Sequence, residues 1–331
     1  MEFTIHIQVL TAVFVLAVIL GAVANKTNFC TMGAVSDWVN MGDTGRLRAW
    51  LLAMAVAILG VAVLVGTGSA AIGTETFPPY RTPYFAWLRY LLGGLMFGVG
   101  MTLASGCGNK TLVRIGGGNL KSLLVLVIAS ACAYLMLWTD FYGIVFNPWL
   151  AAPTVELGKA GMHSQSLNEF FGAGARSQAL TGAVVGLALA AIAFASKDFR
   201  GNKDNILSGV VIGLIVTAGW YLTGGSIGSA WKEWAELADT LPSRVEVQSF
   251  TFISPMGDSV RYLMSPANLA NINFGVTALA GVIVGSFLYA LLSGGFRIEW
   301  FASGGDFLNH AIGAVLMGIG GVLSMGCTIG Q

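Results

Sequence analysis

Eight long apolar stretches constrain this chain more than any other feature of its sequence. Each is close to the roughly 19 residues that an α-helix needs to cross a bilayer. They lie near residues 7–24, 52–72, 88–106, 119–138, 179–195, 206–223, 273–292 and 308–326. Only 10% of the residues are charged, whereas soluble domains carry about 25%. The sequence therefore predicts an all-α polytopic membrane protein embedded in a lipid bilayer.

A repeated glycine-rich motif relates the two halves of the chain. At an offset of 220 residues, "GGLMFGVGMTLASGC" (93–107) falls on "GAVLMGIGGVLSMGC" (313–327). The preceding apolar segment fits as well, because 53–72 falls on 273–292. If the first five segments all cross the membrane, the sixth runs opposite to the first. The halves are then inverted repeats, an arrangement typical of transporters whose substrate site lies at the repeat interface.

The repeat also predicts how the chain is divided. We expect a first transmembrane repeat at 1–138, a connecting loop and linker helix at 139–205, and a second transmembrane repeat at 206–331. The glycine-rich segments are expected to be re-entrant, since irregular backbone is tolerated at membrane depth where it lines a cavity. The second half lacks a partner for the helix at 119–138, so the sequence predicts a truncated second repeat, with a naturally short second half as the alternative.

Basic residues indicate an orientation with the N-terminus outside. In that orientation the inner side receives Lys26, Arg46, Arg48, Lys110, Arg114, Lys121, Lys197, Arg200, Lys203 and Arg297. Most of the other basic residues fall in the two long loops, which count less for membrane topology than short ones.

Three cysteines mark the ends of apolar segments. Cys107 and Cys327 each follow a glycine at the same place of the repeated motif, and Cys30 follows the first segment. Glycine and small polar neighbours free backbone N–H groups, which can form anion-binding concavities. The candidate substrate-binding residues are Cys30, Cys107, Cys327, Gly106, Gly108, Asn109, Gly326, Thr328, Lys26 and Lys110.

Structural roles are the alternative for these residues. A cysteine after a glycine also suits close helix packing, where the thiol acts as a small hydrophobe. The two lysines either attract an anion or extend towards the membrane interface. Cys132 lies inside an apolar helix without polar neighbours, so we predict packing for it. His310 precedes the last segment and is predicted to be interfacial, with proton transfer as the alternative.

The remaining composition argues against other classes of protein. The four cysteines form no C-x-x-C pair and there are only three histidines, so no structural zinc site is expected. Nucleotide-binding motifs and paired nucleophile–base arrangements are not apparent, and we expect neither a cofactor nor enzymatic activity. The net charge of +1 gives no footprint for nucleic acid.

Three motifs identify a family resemblance. "NFCTMGA" (28–34), "ASGCGN" (104–109) and "SMGCTIGQ" (324–331), on a duplicated apolar scaffold, resemble the YeeE/YedE family of sulfur-compound transporters. The resemblance covers most of the chain. It implies an hourglass-shaped fold that takes up thiosulfate, or a related sulfur anion, across the bacterial inner membrane. By this resemblance Cys30, Cys107 and Cys327 are thiols that contact the substrate at the narrow centre.

Alternatives to thiosulfate uptake stay open at this point. A relative of the family would carry a selenium compound, and a membrane thiol enzyme would form persulfide or disulfide intermediates. A subunit of a larger assembly would hand its cargo to a cytosolic sulfur-carrier protein, with Lys110, Arg114 and Lys121 as docking residues. The chemistry favours transport, because neutral thiols bind a soft sulfur atom weakly enough to release it.

Overall fold

The structure, a computed structural model, describes residues 2–172, 174–238, 242–326 and 329. These residues form fifteen α-helices and two small two-stranded sheets. The helices are α1 (Glu2–Lys26), α2 (Thr31–Met41), α3 (Gly45–Gly66), α4 (Trp87–Leu103), α5 (Gly108–Gly116), α6 (Leu120–Trp138), α7 (Phe141–Val145), α8 (Asn147–Leu150), α9 (Ala175–Phe194), α10 (Lys197–Gly201), α11 (Lys203–Gly224), α12 (Ser226–Leu237), α13 (Ile253–Met264), α14 (Phe274–Leu292) and α15 (Gly304–Leu323). The strands are β1 (Thr76–Phe77), β2 (Tyr84–Phe85), β3 (Val155–Glu156) and β4 (Val247–Gln248).

Among the described residues, eight helical stretches are long and apolar enough to cross a membrane, which confirms the predicted all-α polytopic fold. The second span differs in position from its prediction. It begins at Gly45 and ends at Gly66, whereas the apolar stretch runs to residue 72. The chain turns there because Gly68 adopts a φ of 71°, which only glycine adopts without steric cost. The apolar residues beyond it therefore line a loop rather than a helix.

The loops gather on two faces of the helix bundle. The first, which we call the N-terminal face, carries the start of α1, the loop 67–86 and the described parts of the segments that join α6 to α9 and α11 to α14. There the His6 ring accepts a hydrogen bond of 2.9 Å from Trp231. The pairing of β1 with β4 and of β2 with β3 ties these loops together.

The second face, which we call the opposite face, carries the segments 27–44, 117–119, 195–202 and 293–303. Lys26 at the end of α1 lies 3.6 Å from Asp204 at the start of α11. The backbone N–H of Arg297 donates to the carbonyl of Gly117 at 3.0 Å. These contacts place the end of α1 and the start of α11 on the same face. The two helices therefore run in opposite directions, as inverted halves require, although the relation of the complete halves remains a prediction.

The glycine-rich helices α4 and α15 cross in close contact, and their contacts are reciprocal. A Cβ added at Gly100 would lie 2.6 Å from the backbone nitrogen of Met317. A Cβ added at Gly320 would lie 2.6 Å from the backbone nitrogen of Phe97. At the offset of 220, Gly100 corresponds to Gly320 and Phe97 to Met317, so each half makes the same contact with the other. Glycine is needed at both places because the facing atoms belong to the backbone.

The two glycine-rich helices also end in the same way. Ser105 and Met325 both adopt left-handed φ values, of 59° and 63°. Gly106 N–H then bonds to Met101 at 2.8 Å, and Gly326 N–H bonds to the equivalent carbonyl of Gly321 at 2.8 Å. This left-handed end satisfies carbonyls that the helix leaves open. It turns the chain sharply immediately before residues 107 and 327.

Candidate functional site

Two of the breaks between a long helix and a following short helix occur at a cysteine. Cys30 is the N-cap residue of α2, and Cys107 is the N-cap residue of α5. Each has an extended backbone, with ψ values of 128° and 175°. The first N–H groups of an α-helix lack intrahelical partners and carry a partial positive charge. Two short helices therefore begin, with such groups, at the two thiols.

The structure brings these two predicted residues together. The side chains of Cys30 and Cys107 lie close enough to interact, and both residues are free thiols rather than a disulfide. They are buried, with 6% and 2% of their surface exposed. The sulfur of Cys30 also accepts a bond of 3.4 Å from the N–H of Gly33. The thiols are thus fixed in place and available as weak donors to a soft atom.

A buried lysine lies beside the two thiols. Lys110 is only 9% exposed, and its ammonium donates a bond of 3.1 Å to the side-chain oxygen of Asn28. It lies close enough to both cysteines for electrostatic interaction. No carboxylate of a described residue lies within ion-pairing distance of it. Burial of a cation without a carboxylate partner costs free energy, and a bound anion offsets that cost.

Glycines at positions 106 and 108 make room for this arrangement. A Cβ at Gly106 would lie 3.0 Å from the Lys110 side chain, and a Cβ at Gly108 would lie 3.0 Å from Ile253 of α13. The neighbouring Asn109 is 1% exposed, and its side-chain oxygen has no hydrogen-bond partner among the described residues. Four predicted residues, Gly106, Gly108, Asn109 and Lys110, thus surround Cys107.

The third cysteine motif begins at a different level of the bundle. A Cβ at Gly93 would lie 2.5 Å from the nitrogen of Ser324, and one at Gly313 would lie 2.6 Å from the nitrogen of Ala104. Gly93 lies on α4 and Ala104 directly follows it. The two residues are separated by about 16 Å along the helix axis, at a rise of about 1.5 Å per residue. The end of α15 therefore lies nearer the N-terminal face than the end of α4 does.

Of the residues predicted for that third motif, only Gly326 can be placed. Its φ is 152°, and a Cβ there would lie 2.9 Å from the hydroxyl of Tyr80. Cys327 and Thr328 lie outside the described residues. Their role in the site stays a prediction.

Lys26 is not brought to the thiols. Its side chain is 44% exposed and pairs with Asp204 at 3.6 Å on the opposite face. Of the two lysines, only Lys110 is in contact with the candidate site. Lys110 is also too deeply buried for the docking role considered above, and Lys121 is paired with Asp306 at 2.8 Å.

Two residues of the site were not among the predicted ones. Asn28 has a left-handed φ of 52° and carries the acceptor for Lys110. Asn28 is the first residue of the first cysteine motif, and this position is the signal in the sequence for its role. Arg46 of α3 lies close enough to Cys30 for electrostatic interaction. No local pattern links Arg46 to Cys30, because only the packing of α2 on α3 joins them.

A cavity of about 780 Å³ leads from the N-terminal face towards the site. Its walls are apolar side chains of α3, α9 and α11, and its mouth holds the polar loop residues Thr76, Arg81, Gln165, Ser166 and Asn168. Phe29, the neighbour of Cys30, lines it, as do Ser324 and Met325 at the end of α15. One space therefore touches the first and third cysteine motifs.

The remaining cysteine and histidine of interest lie elsewhere. Cys132 lies on α6 and faces α15. A Cβ added at Gly318 of α15 would lie 2.8 Å from the Cβ of Cys132. His310 bonds within its own helix to Asp306, whose carboxylate is 3.0 Å away. In the part of the chain that the structure describes, no group of His, Cys, Asp and Glu side chains is arranged to hold a metal ion.

Comparison with known proteins agrees with the motifs. The thiosulfate transporter TsuA of Escherichia coli (strain K12) is 24% identical over 95% of this chain and 83% of the relative. The protein of the same name from Spirochaeta thermophila is 23% identical over 95% of this chain and 87% of the relative. Both relatives are named as transporters rather than enzymes, which agrees with the eight membrane-spanning helical stretches among the described residues of this chain.

The family assignment rests on a match over nearly the whole chain. The sulphur transport family matches residues 26–331, a range that begins before Cys30 and contains the other two cysteine motifs. The chain thus belongs to the sulphur transport (YeeE/YedE) family and is a transporter of sulfur compounds.

Proposed function

We propose that this protein takes up thiosulfate through a path lined by the thiols of Cys30, Cys107 and Cys327. The two relatives that match 95% of the chain are both named for thiosulfate. We further propose that the membrane is the bacterial inner membrane, with the N-terminal face outside. The basic residues of the short loops favour that orientation.

The observation that carries the proposal is the pair of neighbouring buried thiols, Cys30 and Cys107, beside the buried Lys110. Thiosulfate has charged oxygens and one soft terminal sulfur. The ammonium and the N–H groups at the starts of α2 and α5 suit the oxygens. The thiols suit the soft sulfur, because an S–H group is a weak donor.

The spacing of the motifs supports passage in steps. The third motif follows α15, which ends about 16 Å along the helix axis from the end of α4. An anion that enters by the cavity would pass the end of α15, where Ser324 and Met325 line the wall, before it reaches the pair of Cys30 and Cys107. Each step would be weak, since a conducting path must release what it binds.

Uptake by the reconstituted protein tests the proposal. Proteoliposomes containing the wild type, Cys30→Ala, Cys107→Ala or Cys327→Ala would be supplied with labelled thiosulfate. We expect each substitution to reduce the initial rate at least tenfold. Cys132→Ala is the matched control, because that thiol packs between α6 and α15. Wild-type rates in all three site variants would contradict the thiol path.

Delivery to a cytosolic sulfur-carrier protein is a further part of the proposal. The imported anion would leave at the opposite face, where a soluble acceptor has access. Co-purification of a cytosolic sulfur carrier with the tagged transporter tests this. Recovery of the transporter alone under mild crosslinking would contradict it.

A further inference from the structure

The face of α3 that lines the cavity continues beyond it towards the opposite face. Trp50 and Ala53 line the cavity. Arg46 lies one helical turn before Trp50, so it shares that face at a position nearer the opposite face. The cavity meets Phe29 at its inner end, and Arg46 lies within electrostatic reach of the neighbouring Cys30. Arg46 is therefore a charged group close to the thiols on the side of the opposite face.

The guanidinium of Arg46 is held in place by a buried carboxylate. Its Nε donates a hydrogen bond to the carboxylate of Asp37 on α2, whose side chain is 8% exposed. The group lies over Gly33, where a Cβ would come within 3.0 Å of the central guanidinium carbon. Absence of a side chain at Gly33 thus creates the space that Arg46 occupies beside the first turn of α2.

The donors of Arg46 are incompletely used. Its two terminal amino groups have no acceptor among the described residues, and the side chain is 31% exposed. A second arginine of this protein shows the contrast. Arg244 binds Asp258 through both Nε, at 2.6 Å, and a terminal amino group, at 2.9 Å. The purely structural pair is bidentate, whereas Arg46 keeps its terminal amino groups available.

The charge around Arg46 favours an anion. Arg46 and Lys110 are close enough to influence each other electrostatically, and each also interacts with Cys30. Among the described carboxylates, only that of Asp37 is bonded to Arg46, and Asp43 acts on it at longer range. Two cations near one thiol attract a dianion more strongly than either does alone.

We propose that Arg46 forms a second anion site, on the side of Cys30 that faces the opposite face. It would bind the oxygens of a tetrahedral sulfur oxyanion through its terminal amino groups, in the forked geometry that guanidinium groups offer. This inference rests on the proposed function, because it makes Arg46 the receiving group for an anion that leaves the two thiols. Sulfate has the same oxygen geometry and should bind there without the sulfur contact.

Anomalous scattering from bound selenate locates such a site directly. Crystals of the full chain would be soaked with selenate, an analogue that carries the tetrahedral oxygens without the soft sulfur. We expect a selenium peak within hydrogen-bonding reach of the Arg46 terminal amino groups. Selenate peaks elsewhere, with none beside Arg46, would overturn the proposal. The selenium peak does not depend on transport. It therefore tests the Arg46 site independently of thiosulfate uptake.

Calorimetric titration of the purified protein with sulfate measures the strength of the site. The variant Asp37→Asn with Arg46→Gln removes the cation and its buried carboxylate together, so no unpaired charge is left in the interior. We expect sulfate affinity to fall at least tenfold in this double variant. The single variant Arg46→Lys should retain only part of the wild-type sulfate affinity, because an ammonium lacks the planar fork.

Lys26→Gln is the matched control for this titration. It removes one positive charge from the same face at an exposed ion pair with Asp204. Sulfate affinity should stay within twofold of wild type. An equal loss in Lys26→Gln and in the double variant would overturn a specific role for Arg46. Failure of thiosulfate uptake by the wild type, with the selenate peak present, would refute the proposed function and leave this anion site in place.

Discussion

Lys110 of α5 is hydrogen-bonded to Asn28, the residue at which the chain turns after α1, with 3.1 Å between the ammonium nitrogen and the amide oxygen. This bond joins the two helix breaks that carry Cys30 and Cys107. The cation is buried and, among the described residues, has no carboxylate partner. It is therefore the group whose loss should most affect the binding of an anion at the thiols.

Substitution of Lys110 should weaken thiosulfate binding with little effect on folding. Lys110→Met keeps the length of the stem that packs over Gly106 and removes the charge. We expect the half-saturating concentration for uptake to rise at least tenfold, measured from initial rates in proteoliposomes. Lys26→Met is the control, since that lysine is exposed and paired with Asp204. Equal behaviour of the two variants would argue against Lys110 as the substrate cation.

Substitutions of Asn28 separate its backbone role from its side-chain role. The left-handed φ of 52° costs an alanine about 1–2 kcal/mol, whereas glycine adopts it freely. Asn28→Ala should therefore lower the thermal unfolding midpoint more than Asn28→Gly does. Both variants lose the acceptor for Lys110, so both should slow uptake to a similar extent. Normal uptake in Asn28→Gly would show that the bond to Lys110 is dispensable.

Alanine at the crossing of α4 and α15 should be poorly tolerated on both helices. The added methyl group of Gly100→Ala or Gly320→Ala would meet facing backbone at 2.6 Å. Backbone cannot move aside as a side chain can, so we expect each variant to lose about 1–3 kcal/mol of stability. The two losses should be similar because the contacts are reciprocal. Unfolding in detergent, followed by size-exclusion chromatography after heating, measures this.

Gly98→Ala is the internal control for that crossing. It lies on the same helix, but a Cβ there meets nothing within 4 Å. Alanine should be neutral or should stabilise the helix by about 0.5–1 kcal/mol. A loss as large as that of Gly100→Ala would mean that glycine is needed in α4 for flexibility rather than for close packing.

The number of spans and the ends of the glycine-rich helices could be predicted because their signals are local. Hydropathy over about 19 residues marks a span, and the glycine before each cysteine marks a break. The pairing of the thiols could not be predicted in this way. The repeat relates Cys107 to Cys327 in sequence, but it carries no information about Cys30, which the folded chain places beside Cys107. That proximity depends on how the short helices α2 and α5 are brought together by the packing of separate long helices.

The packing around equivalent glycines also could not be predicted from the sequence pattern. Gly98 and Gly318 correspond at the offset of 220, yet only Gly318 is packed, with Cys132 and the backbone of Ala129 on α6 facing it. The role of Arg46 depends on the packing of α3 against α2 in the same way. Such contacts join residues from separate helices, and a pattern along one helix carries no information about its neighbour.

The buried carboxylate of Asp258 should be the most sensitive structural position outside the thiol site. It accepts hydrogen bonds from Arg244 at 2.6 and 2.9 Å, from Trp138 at 3.0 Å and from Asn273 at 3.2 Å. These bonds fix α13, whose Ile253 packs over Gly108. Removal of one partner of a buried pair costs about 3–5 kcal/mol, so Asp258→Ala should unfold at a much lower temperature. Asp258→Ala with Arg244→Met should recover part of the loss, because no lone charge remains buried.

The exposed pair of Glu156 and Lys159 lies on the same face, and Glu156→Gln should leave the unfolding temperature unchanged. An unaltered midpoint in Asp258→Ala would mean that α13 is held by its apolar contacts alone.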